Sequence, residues 1–230
     1  MCSRYTLISS ISELQGRFGF VMDSPAPEPR YNIAPTEQVL AVVNDGVRKG
    51  EMMRWGLVPS WAKDIKIGSR MINAVSETAA TKPSFRSAFR RRRCLVLADG
   101  FYEWRREGKQ RVPMYFFHKS GEPMAFAGLW ESWQSPEGEW VRSCAVLTTT
   151  ANEFIASTYH RMPVILSGET EPLWLDPLTE TPDTLEPLLI PAPADSLDAR
   201  EVSPMVNNVR NDGPGCVAPA ASPQEVRLFS

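Results

Sequence analysis

The sequence predicts a single α+β domain built on a curved, mostly antiparallel, barrel-like sheet with short flanking helices. Three observations predict it. Short apolar or alternating runs recur along the 230 residues, separated by turn signals such as Asn44-Asp45-Gly46, Ser120-Gly121 and Ser135-Pro136-Glu137-Gly138. Helical patterns are few and brief. No repeat and no linker divides the chain, so one domain over residues 1–230 is expected.

Taken in order, residues 3–8 alternate polar and apolar and read as a strand. Ser10-Ile11-Ser12-Glu13 is a capping box opening a short helix, with Ile11, Leu14 and Phe18 on one face and a stop near Gly19. Residues 23–30 carry three prolines and read as irregular, and residues 31–36 as a loop. A hairpin follows, with strands over 39–43 and 47–55. Residues 56–68 lack periodicity and read as a long surface loop, of the kind that is either functional or disordered; Trp61 speaks against disorder. A helical stretch from Ser76 breaks at Pro83 and resumes with Phe85 and Phe89 inward. Residues 93–99 form a buried strand, continued by one in which Phe101, Glu103 and Arg105 share a face. Further strands are expected over 113–117, 124–130, 140–148, 164–166 and 225–229. Thr150-Ala151-Asn152-Glu153 reads as a second capping box, starting about two helical turns.

Composition narrows the function. No apolar run approaches the ~18 residues of a membrane helix, and no secretory core lies near the start, so no membrane partner and a cytoplasmic location are expected. Cys2, Cys94, Cys144 and Cys216 lie far apart, and His118 and His160 add no zinc spacing, so neither metal nor structural disulfide is expected. Cys94 and Cys144 read as buried fillers. A net charge of −2 is not that of a basic nucleic-acid-binding domain. Its distribution is uneven: Arg86 and Arg90 to Arg93 cluster, Arg105, Arg106, Lys109 and Arg111 follow, and acids gather from Glu169 to Glu201. That pattern fits a basic face with an acidic far side, or simply a solvated charge run.

Four residues carry candidate chemistry. Removing Met1 would make Cys2 a chain terminus with an α-amine and a thiol on adjacent carbons. Such a 1,2-aminothiol condenses with an aldehyde: the amine forms a Schiff base and the thiol closes a thiazolidine ring. Reference pKa values of about 7.7–8.0 and about 8.5 place both groups near neutrality. Cys2 is otherwise a small residue opening a strand. Glu103, set among Phe101, Tyr102 and Trp104, would have a raised pKa if buried and could shuttle protons; otherwise it is an edge-strand glutamate. Asn73 can position a substrate or merely tie a loop. His160 is either catalytic or a satisfied structural histidine.

Together these stretches resemble the SOS-response-associated peptidase (SRAP) family of abasic-site-shielding proteins. The resemblance runs nearly end to end: Met1-Cys2-x-Arg4, Tyr31-Asn32-Ile33-Ala34-Pro35, Trp55-Gly56-Leu57-Val58-Pro59-Ser60-Trp61, Ile72-Asn73-Ala74-x-x-Glu77-Thr78, Ala98-Asp99-Gly100-Phe101-Tyr102-Glu103-Trp104, Arg161-Met162-Pro163-Val164-Ile165-Leu166 and Val206-Asn207-x-x-Arg210-Asn211-Asp212. Each stretch alone is weak; the ordered set is specific.

The resemblance implies a protein that binds single-stranded DNA and captures abasic sites as a covalent thiazolidine through processed Cys2. It further implies autoproteolytic loss of Met1, no cofactor, a monomer, and association with the nucleoid when bound. Asn73 would position the sugar or the amine, Glu103 act as acid/base, and His160 help open the sugar ring. Arg4, Asn32, Pro35, Trp61 and Arg161 would hold the strand by stacking and phosphate neutralisation. Ser3 replaces the family's usual glycine, and Val75 a common arginine. Tyr159-His160 stands where the family reads His-Asp, so either His160 turns inward or Tyr159 takes the role; His160 is the expectation here. Two rival functions are a cysteine peptidase acting on other proteins, with Cys2 and His160, and a non-covalent single-strand-binding module using Trp61 and the arginines.

Overall fold

The computed structural model describes residues 2–220, so the strand expected over 225–229 lies outside the described residues. The strands are β1 (Tyr5–Leu7), β2 (Arg30–Ile33), β3 (Gln38–Asn44), β4 (Arg48–Trp55), β5 (Asn73–Val75), β6 (Arg93–Ala98), β7 (Gly100–Glu107), β8 (Gln110–His118), β9 (Met124–Gln134), β10 (Trp140–Thr150), β11 (Arg161–Pro163), β12 (Ile165–Leu166) and β13 (Leu197–Glu201). The helices are α1 (Ile11–Phe18), α2 (Ser76–Ala79), α3 (Arg86–Arg91), α4 (Glu153–Ala156), α5 (Thr170–Leu175) and α6 (Pro182–Leu185).

Strands β10, β4, β3, β6 and β9 pair in that order, and β9 pairs back to β10, closing a barrel. Closure removes the sheet edges that would otherwise need protection. All of its pairings are antiparallel except β10 with β4. A second antiparallel sheet, β13-β8-β7-β1-β2, lies against it. The alternation read in β7 explains the layering: Phe101 joins the barrel core, stacking on Phe116 and meeting Phe126 edge-on, while Tyr102 faces a smaller cluster with Tyr115, Val202, Val206 and Cys216. Tyr5 of β1 meets Trp55 and Phe126 edge-on at 5.2 and 5.9 Å, fixing the N-terminal strand to the barrel.

The first helix follows its sequence signals. Ser10 and Glu13 form the reciprocal capping box, Leu14 and Phe18 are buried, and Gly19 ends the helix in the left-handed conformation at φ 64°. Elsewhere the structure corrects the reading. Residues 30–33 form a strand rather than a loop, because Tyr5 and Leu7 supply an antiparallel partner far away in sequence. The cap of α4 is Asn152, whose side chain accepts from Ile155 N, and the helix makes one turn rather than two. The strand expected over 164–166 is the two-residue β12 on β9, and a strand not expected, β11, precedes it on β10. Residues 56–59 are buried rather than on the surface. Gly56, at φ 127°, approaches Gly68 so closely that a Cβ on either would lie 2.5 Å from the other's carbonyl oxygen.

The arginine cluster is also not a basic face set against a distant acidic one. Arg93 is buried and donates to the carbonyls of Phe89, Trp174, Asp176 and Thr179. Arg92 pairs with Glu131 at 2.7 Å and Arg91 with Glu180 at 3.2 Å. Arg91, Arg92 and Arg93 are thus engaged where they stand, while Arg86 and Arg90 stay exposed. Cys94 and Cys144 are buried, as their apolar runs predict.

Candidate active site

Cys2 precedes β1 and is fully buried. Strand β1 pairs with β7 in the register Tyr5↔Phe101 and Thr6↔Gly100, and Tyr102 N donates to Arg4 O at 3.0 Å. The same register, continued toward the N-terminus, sets Ser3 against Glu103. From the other side, β5 runs parallel to β10 with Asn73 opposite Val146. Asn73 Nδ2 donates to the carbonyl oxygen of Cys2 at 2.7 Å. Two strands far apart in sequence thus bring Asn73 and Glu103 to the first described residue.

The electrostatics distinguish the groups. Burial pushes Glu103, 5% exposed, up to about 7, so near neutral pH it can both take and give a proton. Burial, reinforced by the Glu103 charge, also drives the Cys2 thiol well above its ordinary range. The thiol is therefore held neutral. Asn73 Oδ1 is buried and accepts no hydrogen bond among the described residues, an acceptor left over after the Nδ2 contact.

A cavity of about 640 Å³ opens beside Glu103, lined by Ser3, Trp104, Arg106, Arg111 and the 156–160 segment. One-turn helix α4 and strand β11 deliver that segment, with Tyr159 N donating to Ile155 O and Ala151 N to His160 O. Tyr159 and His160 both line the cavity, with ring centroids 4.4 Å apart. Tyr159 is half-buried and His160 exposed, so the fold brings both residues to the cavity holding Glu103.

The residues expected on DNA divide. Asn32 is fully buried, and its amide donates to the carbonyls of Val206, Asn208 and Asn211 at 3.2, 3.1 and 2.7 Å while its Oδ1 accepts from Arg4. It has no surface to offer a strand, which corrects that expectation. Arg4 is half-buried; it also donates to Val206 O at 2.9 Å and lies over the Trp104 ring. Asp212 accepts from the backbone of Tyr31 and Asn32, and Trp104 Nε1 donates to Asn207 at 2.7 Å. The Val206-to-Asp212 motif is thus a clasp that seats β1 and β2. Pro35 is half-buried in the turn after β2. Arg161 makes a two-armed ion pair with Glu77 at 2.6 and 2.8 Å across the end of β10. Trp61 is 59% exposed and lines a separate hollow with Lys63, Lys66 and Arg70.

The cavity-lining Arg106 and Arg111 were named only within the basic run and not as site residues; the signal for their pairing would have been the turn at Gly108-Lys109, which sets them opposite each other in β7 and β8. No group of three or more His, Cys, Asp or Glu able to hold a metal occurs among the described residues. Nor is any helix among them long and apolar enough to cross a membrane.

The chain is similar to known proteins over most of its length. The chain is 45% identical over 219 residues to the abasic site processing protein YoqW of Bacillus subtilis, covering 93% of this chain and 97% of that protein. It is 35% identical over 201 residues to the abasic site processing protein HMCES of Gallus gallus, covering 76% of this chain and 59% of that longer protein. A crystal structure of a protein from Bacteroides thetaiotaomicron superposes with a TM-score of 0.88 at 25% identity, covering 96% of this chain and all of that one. The family model for SOS response associated peptidase (SRAP) matches residues 1–209, and with these relatives it establishes that the chain belongs to the SRAP family.

Proposed function

We propose that this protein captures abasic sites in single-stranded DNA as a thiazolidine on Cys2 and so shields them. The reading is supported by the names of its relatives, abasic site processing proteins. The observation that carries it is the contact of Asn73 Nδ2 with Cys2 O at 2.7 Å beside a buried carboxyl raised to about 7.

Met1 is first removed by hydrolysis, with Glu103 taking a proton from the attacking water. The new α-amine of Cys2 then attacks the aldehyde carbon of the ring-opened sugar. The carbinolamine loses water to give an iminium, and Glu103 moves the protons for both steps. The Cys2 thiol adds to the same carbon and gives up its proton, closing the ring. One C–N and one C–S bond form, and one water leaves. Asn73 orients the terminus, with its spare Oδ1 as acceptor for the freed amine. His160, or Tyr159 beside it, faces the sugar. The strand lies along the cavity mouth and toward Trp61. A thiol kept neutral by burial suits a nucleophile that acts second and disfavours a peptidase whose first step needs a thiolate. The protein acts as a monomer in the cytoplasm, on the nucleoid when bound.

The test is incubation with a strand carrying one abasic site, read by denaturing gel and intact mass. Wild type should gain the strand's mass less one water, and Cys2→Ala should not. Fully Met1-processed protein that gives no adduct would sink the proposal.

A further inference from the structure

We propose that Arg106 and Arg111 form a phosphate clamp on the β7–β8 hairpin, gripping the DNA backbone where the strand leaves the cavity. The two residues are direct cross-strand partners, one step before the Glu107↔Gln110 pair that closes the turn. Partners in that position hold their Cα atoms roughly 4.5–5.5 Å apart, close enough for one or two adjacent phosphates to bridge them. Like charges placed directly opposite destabilise a sheet, so the pair is not there for stability.

Its neighbour on the same strand shows the contrast. Arg105 is neutralised twice, by Glu107 at 2.6 Å and Glu201 at 3.3 Å. The side chains of Arg106 and Arg111 are exposed, and among the described residues neither makes a side-chain hydrogen bond or an ion pair. Both line the same cavity as Glu103, Tyr159 and His160. Two uncompensated guanidinium groups lining the cavity that also holds Ser3 and Glu103 call for a polyanion passing through it. The low net charge of −2 makes such a local pair the more necessary for attracting a strand.

This inference rests on the strand-binding reading above, and the experiment separates the two. Non-covalent affinity for a strand carrying a reduced abasic site, which has no aldehyde, is measured across salt concentrations for wild type and for Arg106→Gln/Arg111→Gln. The double variant should bind more weakly, with a salt slope shallower by about 1.4, two phosphates at about 0.7 each for a single strand. Arg106→Lys/Arg111→Lys should keep the wild-type slope. Arg86→Gln/Arg90→Gln removes the same charge elsewhere and should change the slope far less. Reaction with unphosphorylated deoxyribose should be equal in all four proteins, which also shows that the variants fold. Equal slopes for wild type and the Arg106/Arg111 glutamine variant overturn the clamp, as does an equal change in the control pair. A wild type that binds the strand with the expected slope difference but forms no adduct on the abasic aldehyde overturns the covalent reading alone.

Discussion

Two polar regions meet at the N-terminal strand, and they are finished differently. In the clasp, Arg4, Asn32 and Asp212 are joined to each other and to the backbone until the buried amide of Asn32 has a partner for every donor and an acceptor role besides. At the cavity, a carboxyl is buried far enough to sit near 7, and beside Cys2 Asn73 keeps a buried acceptor that has no partner among the described residues. Both regions are built from motif residues. Saturated polar groups hold a fold together, and a buried acceptor left over, as Asn73 Oδ1 is among the described residues, is available to something that arrives later.

The largest test breaks the clasp. Asn32→Ala would take one hydrogen bond each from three carbonyls and the Arg4 guanidinium inside a closed site, with Arg4 and Val206 O keeping only their bond to each other. A loss of roughly 3–5 kcal/mol in unfolding free energy is expected from several buried polar groups left unsatisfied. Denaturant titration reads it directly. Adduct formation per folded molecule should stay near wild type. A variant of ordinary stability that cannot cross-link would instead move Asn32 into the chemistry.

The next test acts on the cavity and has the opposite signature. Glu103→Gln should slow adduct formation by roughly 10²–10⁴, the usual contribution of a positioned acid or base. It should also stabilise the protein above neutral pH. The folded pKa is raised, so the wild type loses stability as pH climbs from about 4.5 to about 7 and stays lower beyond that. The full loss is about 3 kcal/mol at the wild type's upper plateau. Glu103→Gln should therefore match wild type near pH 4 and exceed it at pH 8 in thermal or denaturant unfolding. A glutamine variant that is both slower and less stable at pH 8 would make Glu103 a structural residue.

Sequence made much of this legible, unevenly. Glu103 and its strand were readable because alternation in residues 101–104 is a local signal, and β7 follows it. The aminothiol expectation at Cys2 rests on covalent structure alone and needed no fold. The clasp was not: Asn32 and Val206 are 174 positions apart, and nothing local says that a polar residue after Tyr31 will be buried by a segment near the other end. Strand β2 was missed for the same reason, since its partner β1 precedes it by an intervening helix. The arginine pair needed the hairpin register, which one unmarked turn decides. Charge counting misled where basic and acidic runs met, because Arg92 and Arg93 are spent on Glu131 and on carbonyls rather than offered to solvent.

Arg161 sits between the two kinds of region and gives the smallest but most discriminating test. It was expected on the DNA, yet both its arms hold Glu77, which that contact lowers to about 2. The folded pKa is depressed, so the pair contributes stability above the ordinary carboxylate range and loses it as pH falls from about 4.5 toward 2. Glu77 is 48% exposed, so screening keeps the contribution at or below about 1 kcal/mol. Glu77→Gln should then cost little at pH 7 and flatten the acid limb of an unfolding profile. It would also release Arg161 while leaving the guanidinium at the end of β10. If Arg161 belongs with the cavity, the freed charge should steepen the salt dependence of strand binding by up to about 0.7, one added phosphate contact. If Arg161 belongs with the clasp, the slope will stay where it was and only the acid limb will move.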